Sequence, residues 1–199
     1  MLKKLLRAKV TWIGLAILIL GIILNTSVSV YLMHKYGNTL PILEDIILDN
    51  LPYVPVMWLY DLFVILSVCI MVVYAYKKSP RSIPYYFLVF GIMQVVRGTF
   101  LALTPFGNPN YGAFGLFDGS AFRNGMYPSG HTAIAFLTVF FTKGNYRKMA
   151  WFSLGGLIIT LLLAKGHYSI DIFSGLLFTY AVYKFSEKYF KKDFVLKTN

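Results

Sequence analysis

Apolar runs alternate with short polar or basic breaks along the whole chain. Three long stretches cover residues 10–32, 54–76 and 83–103, and three shorter ones cover 129–141, 149–164 and 168–185. A helix needs about 20 apolar residues to cross roughly 30 Å of hydrocarbon. Inside lipid, only helices and closed barrels satisfy their own backbone polar groups. The runs show no strict two-residue alternation, so the pattern predicts an all-α, polytopic integral membrane protein. Six transmembrane helices would form a single membrane domain over residues 1–199. The first run follows a basic start, and Ser27-Val28-Ser29 is a passable cleavage site for a leader. An even helix count agrees better with a first transmembrane helix.

The breaks have their own character. Residues 33–53 hold Glu44, Asp45 and Asp49 with prolines nearby, and predict a loop with a short interfacial helix near 41–50. Lys77-Lys78-Ser79-Pro80-Arg81 and residues 143–148 are tight basic turns. Residues 104–127 are rich in Gly, Asn and Pro and carry Phe106, Tyr111, Phe114, Phe117 and Phe122. That composition predicts an ordered lid over one membrane face, its aromatics used for packing. Asp118 and Arg123 read as lid surface.

Composition sharpens this picture. The chain is 57% hydrophobic and 14% charged, with mean hydropathy +0.63; ordinary soluble domains carry about 25% charged residues. A net charge of +11 raises the question of nucleic acid. The Lys and Arg residues nevertheless sit at the ends of apolar runs, which is a topology signal and excludes a nucleic-acid stripe. Of the 19, only Lys35, Arg97, Arg123 and Lys165 fall on the side opposite the N-terminus, the two basic turns and the tail. The positive-inside rule then puts both termini in the cytoplasm. The single cysteine, Cys69, excludes an intramolecular disulfide.

Candidate chemistry gathers on the outer side. Ser129-Gly130-His131 opens an apolar helix, so the backbone N–H groups there and the positive end of the helix dipole face any anion. His167 and Asp171 are four apart, on one helical face. A carboxylate at that spacing holds an imidazole by one nitrogen and leaves the other to attack. Two histidines, one carboxylate and a helix-mouth anion site point to phosphoryl transfer without a metal or cofactor. Asp61 is a costly carboxylate within the second run, paired with Arg97 or placed at a wet cavity mouth. Arg97 and Lys165 read either as site cations or as interface residues, Tyr127 and Tyr168 as interface anchors, and His34 as a loop residue.

At these residues the chain resembles the type-2 phosphatidic acid phosphatase superfamily, over roughly residues 85–180. Pro128-Ser129-Gly130-His131 is that family's second motif, and His167 with Asp171 ends its third. The first, Lys-x6-Arg-Pro, is matched in spacing by Arg97 and Thr104-Pro105. The resemblance implies that His167 is a nucleophile forming a phosphohistidine, that Asp171 orients it and that His131 is the acid. Arg97, Ser129, Gly130, Thr104 and Lys165 would serve the phosphate. It further implies a membrane lipid as substrate, phosphatidate or a phospholipid head group, and an extracytoplasmic active site. Thr104, Thr160 and Leu161 stand where the family pattern has Arg, Ser and Arg. Arg97 with Thr104, and Lys165 before His167-Tyr168-Ser169-Ile170-Asp171, resemble the sphingomyelin synthase-like branch, whereas Pro128 departs from it. Two enzyme readings follow, a phosphatase and a head-group transferase. A degenerate lipid-binding member is the non-enzyme alternative.

Overall fold

The structure, a computed structural model, describes residues 2–109 and 124–197. The described residues are helical wherever they are regular. They comprise α1 (Leu2–Arg7), α2 (Lys9–Tyr36), α3 (Ile46–Asn50), α4 (Met57–Lys78), α5 (Ile83–Leu103), α6 (Gly130–Phe141), α7 (Asn145–Leu163), α8 (Ser169–Tyr189) and α9 (Lys191–Phe194). All six expected runs form helices close to their predicted limits. The readings made for Tyr111, Phe114, Phe117, Asp118, Phe122 and Arg123 lie outside the described residues.

Among the described residues, four helical stretches are long and apolar enough to cross a membrane, namely α2, α4, Pro80–Leu103 and α7. The chain is a multi-pass membrane protein. The other two runs depart from the expectation of six spans for separate reasons. α6 has 12 residues, or about 18 Å at about 1.5 Å per residue, well short of a bilayer core. α8 has 21 residues but carries Ser169, Asp171, Ser174, Thr179 and Lys184, which dilute its hydropathy.

Helices α2 and α5 pack along their length, and α4 packs against α7. Between these pairs stands α6, which touches α4, α5, α7 and α8. Its Ala133, Ala135, Leu137, Val139 and Phe141 are buried on several faces, as expected of a helix enclosed by its neighbours. The α2–α5 approach depends on small residues. A Cβ on Gly91 would stand 2.6 Å from the backbone of Ile17 and Leu18, so only glycine permits this separation. Hydroxyls join the other pair: Ser67 and Ser153 bond at 2.9 Å, Ser153 donates to the Phe63 carbonyl, and Thr138 of α6 donates to that of Ser67. Lipid offers these groups no competing water, which favours such contacts between membrane helices.

The acidic break after α2 is shorter in helix than expected. Only Ile46–Asn50 is helical, with Asp45 capping it by accepting from the N–H groups of Ile47 and Leu48. His34 belongs to the exposed last turn of α2 and not to a loop.

Candidate functional site

The two histidine motifs meet where the N-terminal ends of α6 and α8 converge. Ser129 is the N-cap of α6, its hydroxyl accepting from the Thr132 N–H at 3.3 Å. The Ser129 N–H donates to the Asp171 backbone carbonyl at 3.0 Å, which ties one helix start to the other. Gly175 allows this proximity, since a Cβ there would come within 3.0 Å of the Ser129 carbonyl oxygen. Asp171 lies in the first turn of α8, where a carboxylate is favoured by the helix dipole, and accepts from the Tyr168 N–H at 3.1 Å.

These constraints set the histidine geometry. His167 Nδ1 lies 3.1 Å from Asp171 Oδ2, with both side chains buried. His131 Nδ1 lies 3.2 Å from His167 Nε2. A carboxylate accepts only, so His167 carries its proton on Nδ1 and presents the Nε2 lone pair towards His131. Then His131 Nδ1 is the donor in the contact between the rings. Tyr60 of α4 packs edge-on against His131, with ring centroids 5.5 Å apart, and is itself 1% exposed.

A cavity of about 540 Å³ adjoins the pair. His131, His167, Arg97, Gly130 and Gly166 line its polar end; Val64, Ile65, Val68 and Ile134 line the rest. Arg97 is the one Lys or Arg among the lining residues. Its guanidinium donates from Nε to the Pro128 carbonyl at 3.0 Å, from one terminal nitrogen to Asn25 Oδ1 and from the other to the Gly125 carbonyl. Gly130 leaves room for it, since a Cβ there would stand 2.9 Å from Arg97 Nε. Arg97 therefore braces the Gly125–Pro128 approach to α6 and also contributes charge to the cavity.

Other expected participants are placed elsewhere. Ser129 is fully buried, with its N–H and hydroxyl both engaged in the fold, so it acts as a cap and does not face the cavity. Thr104 ends α5, is exposed and donates to the Phe100 carbonyl at 2.6 Å. Lys165 has φ 50° in the turn after α7, is half-buried, and is not among the cavity-lining residues. Asp61 is fully buried and forms no ion pair with Arg97, whose donors turn to neutral acceptors. Tyr168 is 1% exposed and not an interface anchor: its hydroxyl donates to the Gly107 carbonyl and accepts from the Leu43 N–H. Among the described residues no cluster of three His, Cys, Asp or Glu is arranged to hold a metal ion.

Four residues enter the site that motif reading passed over. Asn25 is a buried amide in the first apolar run, and that cost was its only signal. Gln94, three residues before Arg97, lines the same cavity. Tyr60 looked like one aromatic among many. Asp45 reaches across the fold: its Oδ2 accepts from the Ser169 N–H at 2.6 Å, and its Oδ1 from the Ser169 hydroxyl at 3.0 Å. One carboxylate thus caps α3 and α8 together. Burial raises its pKa, but the Ser169, Leu48 and Ile47 donors outweigh that and hold it below the usual value of 3.8.

No curated protein matches the chain. The family model described as PAP2 superfamily C-terminal matches residues 126–189. That segment contains Ser129-Gly130-His131, His167 and Asp171, so the similarity to this family falls on the residues that form the site.

Proposed function

We propose that the protein is a membrane-embedded lipid phosphate ester phosphatase or phosphotransferase working through a phosphohistidine on His167. The observation that carries this reading is the line Asp171–His167–His131, with successive contacts of 3.1 and 3.2 Å at the polar end of an apolar cavity. Asp171 holds the Nδ1 proton of His167, so Nε2 attacks phosphorus. The bond from phosphorus to the lipid oxygen breaks, and His131 gives that oxygen its proton. In the second half His131 takes the proton of the acceptor, whose oxygen attacks phosphorus as the P–N bond breaks. Positioning and charge neutralisation, the main demands of phosphoryl transfer, fall to the start of α6, where Gly130 and His131 line the cavity, and to Arg97. The 3.2 Å contact leaves no room for phosphorus between the rings. The rings therefore part when substrate binds.

One observation favours a phosphodiester substrate over a phosphate monoester. Among the described residues Arg97 is the one Lys or Arg on the cavity wall, and three neutral acceptors already share it. A phosphodiester carries one negative charge where a phosphate monoester carries nearly two at neutral pH, so this site suits the diester better. A product assay on purified protein in micelles tests both readings, using phosphatidate and a choline or ethanolamine phospholipid with and without ceramide or diacylglycerol. Free phosphate identifies the hydrolase, and a new lipid bearing the head group identifies the transferase. His167→Ala lowers either rate on the order of a thousandfold or more. Retained turnover in folded His167→Ala protein would overturn the mechanism.

A further inference from the structure

The histidine cavity does not end at its apolar wall. A second cavity of about 460 Å³ shares Val68, Gln94 and Ile134 with it and continues beside α5 as far as Ile83. Together they form one groove, with α4 on one side, the α2–α5 pair on the other and Ile134 of α6 at its base. Ile22, Ile65 and Val72 line it and are also exposed, so it opens sideways, where a bilayer would lie. Arg97 and Ile83 are both on α5, and their separation corresponds to roughly 21 Å at about 1.5 Å per residue, longer than the roughly 15 Å of one hydrocarbon leaflet.

Gln94 sits at the junction, lining both cavities. Its amide makes no hydrogen bond with any described residue, although it is half-buried within an apolar span. An unpartnered amide in that setting is costly unless a ligand satisfies it. It lies one helical turn from Arg97, on the same face of α5.

We infer that this groove holds one acyl chain of the substrate lipid, and that the Gln94 side-chain NH2 donates to the carbonyl of the acyl linkage between head group and tail. The inference rests on the lipid-phosphate reading of the histidine site and adds where the tail lies and which residue senses its linkage. The phosphate end stays with His131, His167 and Arg97, Gln94 marks the boundary, and Val72 lies alongside the chain beyond it.

Equilibrium binding to purified full-length His167→Ala protein in micelles tests this without needing turnover. The probes are dipalmitoyl, dioctanoyl and ether-linked dihexadecyl phosphatidate. Val72→Trp, which fills the exposed side of the groove, weakens dipalmitoyl binding about tenfold and dioctanoyl binding less than twofold. Gln94→Leu weakens binding of the ester-linked lipid at least fivefold and leaves the ether-linked lipid unchanged, because the ether has no carbonyl. An amide-linked analogue follows the ester if the carbonyl is what is read. Equal losses for long and short chains, or for ester and ether, would overturn the assignment. Failure of the wild-type protein to turn over any lipid, with these binding differences intact, would count against the catalytic reading and leave the groove standing.

Discussion

Arg97 shows how one residue carries two duties in this fold. Its three neutral acceptors hold Gly125, Pro128 and Asn25 around the start of α6, and its charge faces the cavity. A lysine at this position keeps the charge but lacks the fork that reaches three acceptors in one plane. Each buried acceptor left unsatisfied costs about 1–3 kcal/mol. Arg97→Lys is therefore expected to lower the melting temperature and to reduce kcat/KM at least about tenfold, read from thermal melts and initial rates on the same preparation. Wild-type values for both would show that charge alone matters. Sequence marked Arg97 as a site cation through its spacing to Pro105. It did not show that Asn25, some seventy positions away, would be its partner.

Among the elements, the strap between α2 and α4 is the part of the site hardest to see in advance. Asp45 caps α3 through Ile47 and Leu48 and also caps α8 through Ser169, two residues after His167. Tyr168 strengthens the clamp through Leu43 and Gly107. Asp45→Asn keeps the shape and removes the charge. Replacing a helix cap costs about 1 kcal/mol, and here two caps share one carboxylate. The variant is expected to melt lower at neutral pH and to lose kcat more than it changes KM, because the start of α8 positions His167. The pH dependence has a definite sign. A carboxyl held below its unfolded pKa contributes stability above that value and loses it as pH falls through the folded pKa. Wild-type stability should thus fall more steeply than that of Asp45→Asn below about pH 4. Parallel slopes would remove Asp45 from the account. The sequence revealed an acidic break with a short helix but not the clamp, since a cap contributed from 124 residues away leaves no local pattern.

Across the whole molecule, charge distribution and helix count bear on sidedness together. Lys and Arg cluster at the N-terminus, the 77–81 and 143–148 turns and the tail, so both termini are proposed to be cytoplasmic with the histidine site on the opposite face. Both termini on one side require an even number of crossings, and the proposal counts α8 and the short α6 as two further ones within the bundle. In a Cys69→Ser background, Lys197→Cys should resist a membrane-impermeant maleimide in intact cells and react after permeabilisation. Lys35→Cys should react in both. Labelling of Lys197→Cys in intact cells would invert the topology and move the site to the cytoplasmic face.

Sequence by itself determined the six apolar helices to within a few residues, the membrane setting and the two histidine motifs. Apolar run length and helical spacing are local properties, and His167 with Asp171 is a contact within one turn. Tertiary structure decided everything that depends on distant segments meeting. It brought His131 to His167, turned Ser129 inward as a cap, and left Thr104 at an exposed helix end. It also recruited Tyr60, Asn25, Gln94 and Asp45. The close approaches at Gly91, Gly130 and Gly175 depend on the absence of a Cβ, and no run of neighbouring residues records that spacing.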